Sequence, residues 1–166
     1  MSGFYFVLGN IPTKFRSRLQ DINLAIICKA KTITKHGYGA VLKPLLDDLK
    51  ILETSGISMM FQNISYTFKG TLSMIVADNL AAHALGGFMC NFSTVDRFCR
   101  FCTFSKKKSD PKSRATTFSL RDKEGYVNTL KVIEQDYSFS SVYGLKTNSV
   151  LNELDYFHVT LSLIHI

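Results

Sequence analysis

Hydrophobic and polar positions along the chain fall into a few clear patterns. Gly3–Leu8 (GFYFVL) is an aromatic and β-branched run closed by Gly9-Asn10, which predicts a strand. Ile11–Leu19 carries Pro12 and three basic residues and predicts a loop. Asp21–Ala30 (DINLAIICKA) predicts a second, mostly buried strand that can pair antiparallel with the first. Over Tyr38–Glu53 the apolar positions Val41, Leu45, Leu46, Leu49 and Leu52 fall on one helical face, with Asp47, Asp48 and Lys50 on the other. Pro44 is placed to start or kink this helix, and Gly56 to end it. Ile57–Phe61 and Tyr66–Phe68 predict a hairpin.

Gly70–Ala77 (GTLSMIVA) predicts a third buried strand with Asp78-Asn79 at its carboxyl end. Leu80–Leu85 predicts a short helix stopped by Gly86-Gly87, and Leu120–Gln135 a longer one with Asp122 and Glu124 suited to its first turn. Between them lie a cysteine-bearing segment, Phe88–Phe104, and a polar loop, Ser105–Thr117. Ser138–Ile166 has no firm period. The order of elements implies a mixed α/β layer domain, with Tyr5, Phe6 and the Leu45 face in its core.

Composition agrees with a folded domain. The 166 residues are 46% hydrophobic and 20% charged. No apolar run approaches the roughly 20 residues of a membrane span, and MSGFYFVLGN lacks the basic region and cleavage site of a signal peptide. The net charge is +7, and it is unevenly placed. Residues 97–114 carry Arg97, Arg100, Lys106, Lys107, Lys108, Lys112 and Arg114 against one acid, Asp110. A local basic patch points to an anionic partner, nucleic acid before a membrane surface, and no small-molecule substrate is indicated. Phe98, Phe101 and Phe104 are interleaved with these charges, as rings that stack on bases would be. The competing reading is a solvated loop with its Phe residues packed beside the cysteines.

Two further features bear chemistry. Asp78, at the end of a buried strand and the start of a helix, is placed either to cap that helix or to bind Mg²⁺ or Mn²⁺, and the cap is the commoner use. His83 is more readily a buried structural histidine than a partner to that ion. Cys99-Arg100-Phe101-Cys102 is a C-x-x-C pair, which supplies half of a tetrahedral zinc site. Unbound structural thiols and, less favoured, a redox pair are the alternatives.

The ordered segments VADNLAAHALGGF and RFCRFC resemble the middle of a transposon-derived family. It is similar to DDE transposases with a ribonuclease-H-like core, of the CACTA-related kind that carries a C-x-x-C insertion. FYFVLGNIPTKFRS, YGAVLKPLLDDLKILETSGI and FKGTLSMIVADN upstream, with FSLRDKEGY and YGLKTNSVLNELDYFHVT downstream, extend the resemblance over residues 3 to about 160. It implies a partial ribonuclease-H-like α/β core over 1–96, a C-x-x-C knuckle and basic loop over 97–117, a helical insertion over 118–160, and an unmatched tail over 161–166. Asp78 then corresponds to the second of three metal-binding acidic residues, although Ala77 stands where the family has Gly. Cys99 and Cys102 correspond to the inserted zinc pair, whereas His165 in the foreign-looking LSLIHI is not carried over.

The resemblance places the first and third acidic residues outside this stretch, so the chain is expected to be an internal slice. The expectation is therefore a nuclear, transposase-like fragment, related to enzymes that cleave and transfer DNA strands but inactive with one acid of three. The alternatives are a non-catalytic zinc and DNA-binding module, or a decayed element with no function.

Overall fold

The computed structural model describes residues 1–107 and 119–165. Lys108, Lys112, Arg114 and most of the predicted basic loop lie outside the described residues, as does Ile166. The protein is mixed α/β, and it divides into two compact units, Met1–Ser73 and Met74–Ile166. Among the described residues its strands pair two by two in three two-stranded sheets. Among the described residues no helix is long and apolar enough to cross a membrane.

In the first unit, β1 (Ser2–Phe6) and β2 (Asn23–Cys28) form the expected antiparallel pair, from Ser2 opposite Cys28 to Phe6 opposite Asn23. The ladder slips between Phe4 and Tyr5. Phe4 meets Tyr38 edge to face, with ring centroids 6.4 Å apart. The slip breaks the alternation beyond it, so Tyr5 is 63% exposed and Phe6 is also exposed. Both were expected in the core. Leu24 and Ile27 of β2 are exposed too, because a two-stranded sheet has few neighbours to cover it.

Helix α1 (Ala30–Thr54) is interrupted at Gly37, where φ is 77° and ψ is 169°. The break comes seven positions before Pro44, so the proline lies inside the second helical stretch and neither starts nor breaks it. Leu42 and Leu46 are its buried apolar side chains, with Leu45, Leu49 and Leu52 half-buried around them. Buried Glu53 accepts a hydrogen bond from the Thr71 hydroxyl, which ties the returning chain to the helix end. Gly56 (φ 76°) ends the helix as predicted, its N–H donating to Ile51 O at 2.8 Å. The hairpin β3 (Ile57–Phe61) and β4 (Ile64–Phe68) follows. Its two-residue turn, Gln62-Asn63, has positive φ at both positions, which matches the right-handed twist of the strands.

The second unit holds most of the core. β5 (Ile75–Ala77) is shorter than the predicted Gly70–Ala77, and Val76 is exposed. α2 (Asn79–Leu85), α3 (Lys123–Gln135) and the single turn α4 (Ser140–Tyr143) follow, then α5 (Val159–Ser162) and β6 (Leu163–His165). β6 lies parallel to β5, with Ile75 opposite Leu163 and Ala77 opposite His165.

Phe88, Val95, Tyr126, Leu145, Leu154, Phe157 and Val159 are all buried. At the centre, Phe88 and Leu145 form an antiparallel bridge flanked by Gly87 and Gly144, both left-handed (φ 74° and 76°). A Cβ on Gly87 would run into the Thr147 carbonyl, and one on Gly144 into the Arg97 carbonyl. The glycines of HALGGF and YGLKTN are thus where two distant segments cross at backbone contact.

Candidate nucleic-acid interface

The knuckle is built on a backbone frame. Asp96 N donates to Ser141 O at 2.9 Å and Arg97 N to Val142 O at 3.1 Å, which lays the entering strand along α4. Thr103 N donates to Ser119 O at 3.0 Å and Arg121 N to Phe101 O at 2.8 Å, so the exit pairs with the segment leading into α3. One side chain locks the arrangement. Arg121, only 8% exposed, donates from Nε to Cys99 O at 2.9 Å and from Nη2 to Arg97 O at 2.9 Å and Tyr143 O at 2.7 Å. Its guanidinium also lies over the Phe88 ring, 5.4 Å from the centroid. Burial pulls the Arg121 pKa down, and the nearby Cys99 opposes that. A planar fork with five donors suits three carbonyls that one ammonium could not span.

Below the knuckle, His83 is 3% exposed and sits between two carbonyls, with Nδ1 2.7 Å from Asn79 O and Nε2 3.0 Å from Phe98 O. Phe92 packs on it edge to face at 4.7 Å. This is the structural histidine that the sequence favoured. Arg100 joins the same cluster. It is buried, and its Nη1 donates to Asn79 Oδ1 at 2.5 Å and lies 3.3 Å from His83 Nδ1. Arg100 was expected on the DNA-facing surface. Its adjacent Phe101 takes the exposed position instead, and the guanidinium carbon stands 4.5 Å from the Phe101 centroid, against the inner side of the turn.

The described basic groups that do reach the surface are Arg97, half-buried with its guanidinium 5.2 Å from the Tyr143 ring, and the exposed Lys106 and Lys107. Lys106 Nζ donates to Phe92 O and lies 4.8 Å from the Phe98 ring. Asp96 organises this rim. Its carboxylate accepts from Ser105 Oγ at 2.7 Å and from Lys107 N at 2.9 Å. Desolvation works to raise its pKa. The hydrogen bonds from Lys107 N and Ser105, with the charges of Lys107 and Arg97, more than offset this and hold the carboxyl below the usual range. Of the three interleaved rings, Phe98 and Phe104 pack on each other edge to face at 6.3 Å, while Phe101 is 42% exposed. Phe101 is therefore the most exposed ring of the three, with the Arg100 guanidinium over it.

Cys99 and Cys102 lie close together in the knuckle. Burial pushes the Cys102 thiol up, and neighbouring Cys99 adds to the rise. A C-x-x-C pair can supply at most two of the four ligands of a tetrahedral zinc site. Among the described residues no group of three or more His, Cys, Asp or Glu side chains is arranged to hold a metal ion. Asp78 is the N-cap of α2, its Oδ1 accepting from Ala81 N at 2.9 Å, and among the described residues it belongs to no group of three or more His, Cys, Asp or Glu placed to hold a metal ion. The described residues at Asp78 thus do not make up a divalent-cation site by themselves.

Sequence reasoning missed Arg121 and Tyr126. Tyr126 is 1% exposed, donates to Gly86 O at 3.0 Å, and accepts from Ser149 N at 3.1 Å. Burial pushes its phenol up to about 12. The one signal for Tyr126 was its place on the apolar stripe of α3 with Leu130 and Ile133. Compared with known proteins, the chain matches no family model, no curated protein and no solved structure.

Proposed function

We propose that this chain is a transposase-like module that binds DNA through its C-x-x-C knuckle and does not itself cut DNA. The observation that carries the reading is the clamped knuckle. Arg121 fixes the carbonyls of Arg97 and Cys99, and the rim so held carries Arg97, Lys106 and Lys107 with Phe101 exposed on the same turn segment. Cations neutralise phosphates and an exposed ring stacks on an unpaired base, so a rigid rim of both suits a nucleic-acid backbone. The rest of the basic cluster, Lys108, Lys112 and Arg114, continues directly from this rim in sequence.

The transposase-like origin rests on the resemblance alone. The ribonuclease-H-like core, a nuclear location and zinc held by Cys99 and Cys102 belong to the same proposal. Asp78, the one acidic residue that the resemblance carries onto this chain, serves α2 as its cap. The test is binding to a fluorescein-labelled DNA duplex, followed by anisotropy, for wild type and the triple reversal Lys106→Glu, Lys107→Glu, Lys108→Glu. The proposal expects a loss of about a hundredfold or more at moderate salt. An affinity within about threefold of wild type contradicts it.

A further inference from the structure

A second group of polar side chains lies away from the knuckle, on the face of α3 that the proposed function does not use. Lys123, Val127, Leu130, Lys131 and Glu134 fall on one side of the helix and line a cavity of about 350 Å³ with Asn148, Asn152 and His158. His158 is 6% exposed and packs edge to face against Tyr126 at 5.3 Å. Lys123, Lys131 and Asn148 are exposed at the rim.

The hydrogen bonds fix which atoms of these groups are already engaged. Asn152 Oδ1 accepts the backbone N–H of Val159 at 3.1 Å, so its amide nitrogen points the other way and donates to Asn148 Oδ1 at 3.0 Å. Asn148 then has its own NH2 left to offer. His158 Nδ1 accepts the Thr160 N–H at 3.3 Å and lies 2.8 Å from the Thr160 hydroxyl, so the neutral ring carries its proton on Nε2. Burial, and then the charge of Lys123, lower the His158 pKa, in keeping with that neutral form. The inventory around the cavity is two ammonium groups, an amide NH2 and an imidazole N–H, all donors, against one carboxylate at the rim, Glu134.

We propose that this cavity binds a phosphate group, with Lys123 and Lys131 supplying charge and Asn148 and His158 supplying directed hydrogen bonds. An anion is the ligand that donors without matching acceptors accommodate, and charge-assisted bonds are the stronger kind. The volume suits a single phosphate with part of its attached group. Free phosphate compounds and a nucleic-acid backbone share this chemistry.

The test is NMR titration of the intact chain with inorganic phosphate, read at the His158 imidazole. The His158 signals are expected to shift with saturation. Lys123→Gln with Lys131→Gln is expected to weaken binding by about tenfold per lysine, and Glu134→Gln to strengthen it. These three positions are at the surface, so the variants leave the buried His158 packing in place. No shift at His158, or equal binding by the double lysine variant, overturns the proposal. A short single-stranded DNA that moves the same signals at lower concentration than phosphate supports the site and identifies the backbone as its source. Phosphate that binds while the oligonucleotide leaves His158 unmoved supports the site and identifies a free phosphate compound.

Discussion

Removing the Arg121 guanidinium is the most direct perturbation of the knuckle. Arg121 donates three hydrogen bonds to carbonyls on two segments, Arg97 and Cys99 on one and Tyr143 on the other. A hydrogen bond to a charged donor contributes about 1.5–3 kcal/mol net, and the three share one side chain, so they do not add in full. Arg121→Met fills similar space with no donor and leaves three carbonyls without it. The expected destabilisation is about 4 kcal/mol, a large fraction of the roughly 5–15 kcal/mol that holds a domain folded. Arg121→Lys keeps the charge but not the fork and is expected to recover less than half of the loss. The assay is urea unfolding followed by far-ultraviolet circular dichroism and tyrosine fluorescence, since the chain has no Trp. Loss of the knuckle should also lower DNA affinity under conditions where the variant remains folded. Arg121→Met within about 1 kcal/mol of wild type would refute the view that this side chain clamps the knuckle.

Gly144→Ala meets both a positive φ and the Arg97 carbonyl, so a loss of about 3 kcal/mol is expected in urea unfolding, and a loss of about 1 kcal/mol, as positive φ alone would cost, would show that the contact is immaterial. Asp78→Ala should cost about 1 kcal/mol through the lost α2 cap and Asp78→Asn clearly less, by thermal unfolding, and an equal cost for both would count against capping as the role of Asp78. Tyr126 titrates near 12 when folded, above its ordinary 10, so it stabilises fully below pH 10 and that contribution is lost as pH rises from 10 to 12, by about 3 kcal/mol. Tyr126→Phe should flatten that part of the stability profile, and an unchanged alkaline slope would contradict the assignment.

Local signals carried much of the secondary structure. The apolar runs at Gly3–Leu8 and Asp21–Ala30 paired as strands, Gly56 ended α1, Gly86-Gly87 ended α2, and Asp78 and Asp122 became caps, because each of these effects depends on neighbours within a few residues. The exposure of Tyr5 and Phe6 was hidden because it follows from a slip in the ladder and from a sheet of only two strands. Pro44 was read as a residue that could start or kink the helix, and the break lies instead at Gly37, which takes a positive φ that other residues rarely adopt.

In the candidate site, the positions of Cys99, Cys102, Lys106 and Lys107 were legible as a cluster. That Arg100 turns inward and Arg121 serves as the clamp was not, since the partners of both come from Asn79, His83 and Tyr143, far away in sequence. The short elements after Ser138 have no period long enough to detect, and they are held by crossings such as Gly144 against Arg97.

The central claim, a basic knuckle that meets phosphates, is tested most directly by the salt dependence of DNA binding. Anisotropy titrations across a range of salt concentrations give the slope of log K against log salt for wild type and for Arg97→Gln with Lys106→Gln and Lys107→Gln. The account expects a steep negative slope for wild type that becomes shallower by about 2–3 in the variant, as three lost phosphate contacts on a duplex require. A wild-type affinity insensitive to salt, or a slope that the three substitutions leave unchanged, would contradict it.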